Sequence, residues 1–386
     1  MYDQIREDTL FIILYSVVTA MAMMASCYLL FRRANAIAPD VTPPARLRRW
    51  AAALFAAITF NHLWYMPMFF LTSSEDITMI DLWGGLLDCM IVFPLTIVVM
   101  FAMLQDRRRP LWPVAVMFAP LVVGSAMCVA TRSYNFLPLL YLYSLLMCIG
   151  LIIYTIHATR QYGRWLRDNY ADLEHKEVWQ SFVVLAIILL VSAVYVFVGE
   201  GPAYQYAMQV MVVVLIYYLL WRVETLSDLS LLQPIQLLEE ELTNVEIPDE
   251  NSLSQANYDY IGVLLKQYCI DTQLYLQHDL SLSQLAKAIG TNRLYLSQYF
   301  SSMDMNYNAY INDLRINHFI SLYRDAVVAQ CPVTAQQLAL ESGFRHYRTF
   351  SNAFKRKMGY TVTSWMKAAQ REEQPRPEGS RSLNLE

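Results

Sequence analysis

Three consecutive cations, Lys355, Arg356 and Lys357, close the run FSNAFKRK, and their side chains suit one kind of chemistry, pairing with phosphate oxygens. They sit in a basic stretch. Residues 331–371 carry 7 Lys or Arg against 1 Asp or Glu, and the wider 256–371 carries 12 against 7. Other reactive side chains are scattered. None of Cys27, Cys89, Cys128, Cys148, Cys269 and Cys331 forms a CxxC pair, and the 6 histidines have no partner at metal-ligand spacing. The sequence shows no nucleotide-binding glycine loop, receiver-like aspartate cluster or histidine-kinase signature. The expectation is a binder rather than an enzyme, with no catalytic residue, metal or cofactor.

The elements that would position those cations form a repeated pattern. The first copy reads SLSQLAKAIGTNRLYLSQYF from Ser281, and the second reads TAQQLALESGFRHYRTFSNAF from Thr334. Each opens with Ser/Thr-x-x-Gln, Ser281 with Gln284 and Thr334 with Gln337, a spacing that predicts a capping box. Each continues Leu-Ala-x-x-x-Gly, reaching Gly290 and Gly343, where a left-handed residue ends a helix without a Cβ clash. Leu296 and Phe300, like Phe350 and Phe354, are four apart and share one buried helix face. The second turn is one residue longer, with Phe344 expected as a core plug. Between the copies, Tyr310, Leu314, Phe319 and Leu322 predict a helical stripe. A helix of about 19 residues there is ~28 Å long. That is near the ~34 Å between successive major grooves on one face of DNA.

From about Tyr275 to Lys367 the chain resembles the AraC/XylS-type DNA-binding domain of bacterial transcription regulators. The likeness is carried by DLSLSQLAKAIGTNRLYLSQYF, YINDLRI, LALESGF, FSNAFKRKMGYT and Trp365. The resemblance implies two helix-turn-helix units joined by a long helix and bound in two successive major-groove segments of double-stranded promoter DNA. It places Arg293, Leu294, Ser297 and Gln298 on the reading face of the first unit. On the second it places His346, Tyr347, Arg348, Ser351 and Asn352, followed by Lys355, Arg356 and Lys357 as phosphate partners. Arg348, Gln298 and Asn352 are the expected base-edge contacts, since such side chains bond bases in pairs of hydrogen bonds. RNA polymerase joins DNA among the partners such a regulator implies. The chain departs from the family at Asp304, where Gly is usual, at Phe319 for Ala, and at Val362 for Pro.

The first two hundred residues are of another kind. The whole chain is 56% hydrophobic and 16% charged over 386 residues, and the apolar share is concentrated before residue 222. Seven segments are long enough to cross a bilayer: 10–31, 51–71, 82–104, 111–131, 136–156, 178–199 and 203–221. Lys and Arg divide 13 against 2 between alternate loops, which predicts an outside N-terminus and a cytoplasmic C-terminal part in a bacterial inner membrane. Asn61, His62, Asp88, Gln205 and Gln209 interrupt the spans, and Glu200 occupies the short outer turn between the last two. They are expected to hold the bundle together by hydrogen bonds, with an outward signal-ligand pocket walled by Trp64 and Tyr65 as the alternative.

The fold expected is all-α: a seven-helix transmembrane bundle over 1–222, an acidic linker over 223–255, a double helix-turn-helix domain over 256–371, and a disordered tail over 372–386. Within the linker, Leu231, Ile235, Leu238, Leu242 and Val245 follow coiled-coil spacing, either a homodimer seam or one amphipathic helix. The function expected is a membrane-bound transcription factor under control of a signal sensed in the bilayer. The alternatives are a transporter or enzyme with an appended regulatory domain, and a tether whose helix-turn-helix fold binds protein.

Overall fold

A computed structural model describes residues 8–39, 41–107, 109–184, 186–187, 202–229 and 255–373. The expected linker helix over 231–245, the tail beyond 373 and most of the span 178–199 lie outside the described residues. Among the described residues there is no strand, only one antiparallel bridge between Tyr170 and Ser281. The chain divides into two compact units: residues 1–164 with 175–235, and residues 165–174 with 236–386.

The first unit contains α1 (Thr9–Phe31), α2 (Ala45–Tyr65), α3 (Ser74–Leu87), α4 (Phe93–Met103), α5 (Trp112–Thr131), most of α6 (Leu137–Asn169) and α7 (Pro202–Thr225). Five helices among the described residues are long and apolar enough to cross a membrane: Thr9–Phe31, Ser74–Met103, Trp112–Thr131, Leu137–Asn169 and Gln205–Thr225. Helix α2 covers most of the expected span 51–71, but it opens with Arg46, Arg48 and Arg49 and is not one of the five. It is an inner helix of the unit, burying Leu47, Ala51, Leu54, Phe55 and Ile58 and packing on α1, α4 and α7. The expected span 82–104 is interrupted by one wide π-turn over Asp88–Val92. Pro94, which lacks an N–H to donate back into the preceding turn, accounts for it. At one end of the unit, buried Arg32 pairs with fully buried Glu224 at 3.1 Å. Asn35 Nδ2 adds a hydrogen bond to the Glu224 carbonyl at 2.8 Å, so the loop after α1 is tied to the end of α7.

The second unit is built on α11 (Tyr307–Val328), a helix of 22 residues and therefore ~33 Å long, longer than the sequence suggested. One core at its start holds α8 (Gln255–Leu265), α9 (Leu282–Ala288) and α10 (Arg293–Ser302) around Leu265, Leu285, Leu296, Phe300 and Ile311. A second core at its other end holds α12 (Ala335–Glu341), α13 (Tyr347–Met358) and α14 (Val362–Glu373) around Phe319, Leu338, Phe344, Phe350 and Phe354. The stripe Tyr310, Leu314, Phe319 and Leu322 is only in part the buried face of α11. Asn308, Asn312 and Arg315 are buried with Tyr307, Ile311, Phe319 and Tyr323, because the helix also has to satisfy backbone carbonyls that pack against it.

Arg315 does most of this. It is 1% exposed, and its Nε donates to the Tyr275 carbonyl at 2.7 Å while one terminal nitrogen donates to Gln277 O at 2.7 Å. The guanidinium also lies over the Phe344 ring at 5.6 Å. Burial lowers its pKa from the usual arginine value, opposed by nearby Tyr307, Asp172 and Asp279. One side chain of the long helix thus holds the segment 274–278 of the first core against the turn of the second.

Two expected capping boxes resolve into one. Ser281 and Gln284 form the full reciprocal box. Thr334 accepts the Gln337 N–H at 3.2 Å, but the Gln337 side chain donates to Glu341 one turn on at 3.0 Å, so the reciprocal half is missing. Both turn glycines are left-handed, Gly290 at φ 71° and Gly343 at φ 91°. Their surroundings differ. A Cβ on Gly290 meets nothing within 4 Å, whereas one on Gly343 would lie 2.7 Å from Leu276 Cα. Gly290→Ala should therefore cost about 1–2 kcal/mol, the ordinary price of a left-handed alanine. Gly343→Ala should cost several times more and loosen both cores together; pulse proteolysis of the full chain in detergent, with fragments mapped, compares the two.

Candidate nucleic-acid interface

Helix α10 starts at Asn292, whose side chain accepts the Tyr295 N–H at 2.8 Å. Since Leu296 and Phe300 point into the core, the opposite face looks outward: Leu294 is 64% exposed, Gln298 is exposed, and Arg293 and Ser297 are half-buried. In α13 the inward face is Phe350, Ala353 and Phe354. Arg348 and Asn352 stand exposed on the other side, one turn apart, with Ser351 half-buried beside them. Lys355 and Arg356 continue that exposed surface to Gly359, whose φ of 79° ends the helix. Cations in a last turn also suit the helix dipole.

Three of the expected residues are engaged within the unit. Tyr347 packs its ring against Phe350 at 5.8 Å and belongs to the core margin. Lys357 Nζ donates to the Asp313 carbonyl at 3.2 Å and to Asn317 Oδ1 at 3.1 Å, and so braces α13 against α11. His346 Nε2 lies 3.9 Å from the Glu174 carboxylate. Thr349, one turn on from His346 in α13, donates to the same carboxylate at 2.8 Å. Sequence reasoning missed this pair, because 175 residues separate its partners and neither belongs to a motif.

The departures from the family pattern are accommodated. Asp304 adopts φ 51°, the left-handed backbone that glycine would otherwise supply and that Asp tolerates better than most residues. Phe319 fills the middle of the second core, its ring 4.4 Å from Phe350. Val362 begins α14 and is 1% exposed, so its side chain packs where a proline would only have shaped the helix start.

Residues 285–368 match the family model described as a helix-turn-helix domain, of the AraC type. This part of the chain is an AraC-type helix-turn-helix domain. No curated protein and no solved structure matches the chain. The matched stretch begins within α9, ends within α14, and includes both outward helix faces and the cations after Phe354. Helix-turn-helix domains of this type bind double-stranded DNA, and the AraC-type domain here presents Gln298, Arg348 and Asn352, side chains able to make bidentate base contacts.

In the first unit the interrupting polar groups pair with one another. Asn61 Nδ2 donates to Asp88 Oδ1 at 2.7 Å, joining α2 to the π-turn. His62 Nε2 is 3.2 Å from Gln209 Oε1, joining α2 to α7, and its carbonyl accepts from Tyr15 on α1 at 2.7 Å. Trp64 Nε1 donates to the Ile80 carbonyl of α3 at 3.2 Å, and Tyr65 approaches Asp88 at 3.5 Å. Gln205 is half-buried on α7, and Glu200 lies outside the described residues. The inner helix α2 is thereby bonded to α1, α3 and α7. A double-mutant cycle of Asn61→Ala and Asp88→Ala should show coupling of ~0.5–2 kcal/mol, the range of interhelical hydrogen bonds in bilayers. Thermal unfolding in detergent measures it, and independent effects would mean that the pair does not hold the helices.

Proposed function

We propose that this chain is a one-component, membrane-embedded bacterial transcription regulator. One observation carries the reading: the AraC-type match over 285–368 coincides with two helices, α10 and α13, whose outer faces bear base-reading side chains. In this reading the two helix-turn-helix units enter successive major grooves, with the ~33 Å rod of α11 setting their separation. Gln298, Arg348 and Asn352 read bases, and Lys355 and Arg356 neutralise phosphates. Lys357 acts less as a phosphate partner than as a brace, since its ammonium is already bonded to α11.

The five long apolar helices, α2 and a further span through 178–199 make up a seven-helix bundle in the inner membrane. The N-terminus lies outside and the DNA-binding domain in the cytoplasm, a topology supported by the 13 against 2 division of Lys and Arg. The bundle senses a signal and performs no catalysis. Two copies meet through 223–255, and RNA polymerase is the partner that turns binding into altered transcription.

Full-length protein in lipid nanodiscs, used to select duplexes from a random pool, should enrich one sequence and bind it less tightly as salt rises. Arg348→Ala and Asn352→Ala should each lose ~1–3 kcal/mol, mainly for a single base pair. Lys355→Ala should weaken all sequences alike and lower the salt slope by about one. Failure to enrich any duplex would remove the regulatory reading and favour a tether that binds protein.

A further inference from the structure

Ten residues far from the AraC-type domain in sequence belong to the same compact unit: Trp165–Glu174, comprising the end of α6 and the five residues after it. They are built in. Tyr170 bridges Ser281, and the Ala171 N–H points to the Leu280 carbonyl at 3.4 Å. Ala171 is 1% exposed within the first core. Buried Asn308 of α11 donates to the carbonyls of both Tyr170 and Ala171, at 3.2 and 2.6 Å. Asn312 in turn donates to Asn308 Oδ1 at 3.1 Å and so orients it. The buried asparagines of α11, which no apolar pattern explains, serve to hold this segment.

The segment then places its acidic end on α13. Asp172 accepts the Glu174 N–H at 3.0 Å and shapes the turn, and the Glu174 carboxylate accepts from Thr349 at 2.8 Å with His346 Nε2 at 3.9 Å. His346 is the residue before α13, and its own side chain caps nothing there. In contrast, α10 is closed by Asn292. A helix start carries unsatisfied N–H groups and the positive end of the dipole, so an anion is stabilised there. In helix-turn-helix complexes that anion is a DNA phosphate. The segment WLRDNYADLE has one arginine and three acidic residues, matching the electrostatic sign of DNA against a domain of excess positive charge.

We infer that residues 170–174 are an intramolecular competitor of DNA, with the Glu174 carboxylate occupying the phosphate position at the start of α13. The inference rests on the DNA-binding function proposed above. While the segment is docked, DNA must displace Glu174 from Thr349 and His346 before α13 can seat. The segment continues directly from α6, one of the helices long and apolar enough to cross a membrane, so a change along α6 has a covalent route to this contact.

The test uses the full chain in nanodiscs and the duplex selected above. Glu174→Gln should raise DNA affinity on the order of tenfold, the scale of one charge-assisted contact. Asp271→Asn, which removes the same charge elsewhere in the unit, should change it by less than about twofold if charge acts locally. Hydrogen exchange in peptides covering 170–174 should speed up when the duplex binds. Wild-type binding with unchanged or weaker affinity in Glu174→Gln would overturn the inference alone, as would unchanged exchange on DNA binding. An equal gain from Asp271→Asn would reduce the effect to net charge and overturn it too. If neither protein binds any duplex, the regulatory reading falls and this inference with it.

Discussion

Much of the second unit depends on one buried guanidinium. A lone cation inside a protein is unfavourable unless its donors are used, and Arg315 uses them on carbonyls of the segment that leads into the first core. The same group faces Phe344 of the second turn. Gly343 completes the arrangement, since its missing Cβ is what allows Leu276 to approach the turn at all. The segment 274–278 is thus fastened to α11 by the Arg315 hydrogen bonds and to the turn of the second helix pair by a close backbone approach. In the proposed DNA-bound state, that rigidity is what lets the ~33 Å rod of α11 set the spacing of two reading helices.

Polar groups inside α11 therefore have two different tasks. Arg315 joins the two cores, whereas Asn308 and Asn312 recruit a stretch of chain from before the domain. Unpaired, each would carry the cost of a buried polar group; with Arg315 and Asn308 bonded to backbone carbonyls and Asn312 bonded to Asn308, one partner segment and one register are selected. The first unit uses the same physics around α2, where Asn61, His62 and Trp64 reach three different neighbours. In both units the apolar residues supply the bulk of burial, and a few hydrogen bonds decide which surfaces meet.

The AraC-type domain was legible because its signals are local. Cap, glycine and the four-residue spacing of Leu296 with Phe300, or Phe350 with Phe354, lie within single turns of helix and recur twice. The exposed faces follow, since a helix that buries Phe350 and Phe354 must turn Arg348 and Asn352 outward. Side chains with two partners within reach are not fixed by such local signals. Gln337 prefers Glu341 to its own cap, Lys357 finds Asp313 and Asn317, and Tyr347 lies down on Phe350. Spacing alone does not rank a phosphate against an amide when both are within reach of a flexible side chain.

The sequence by itself determined the all-helical class, the apolar first part, the paired helix starts and turns, and the faces that carry Gln298, Arg348 and Asn352. Each of these depends on neighbours within a few residues, where backbone geometry allows few choices. Only the tertiary structure decided that α2 is an inner helix, that Arg315 holds both cores, and that Glu174 sits on Thr349. Those outcomes depend on segments up to 175 residues apart meeting in space, and no local periodicity encodes which distant carbonyl or carboxylate will satisfy a buried donor.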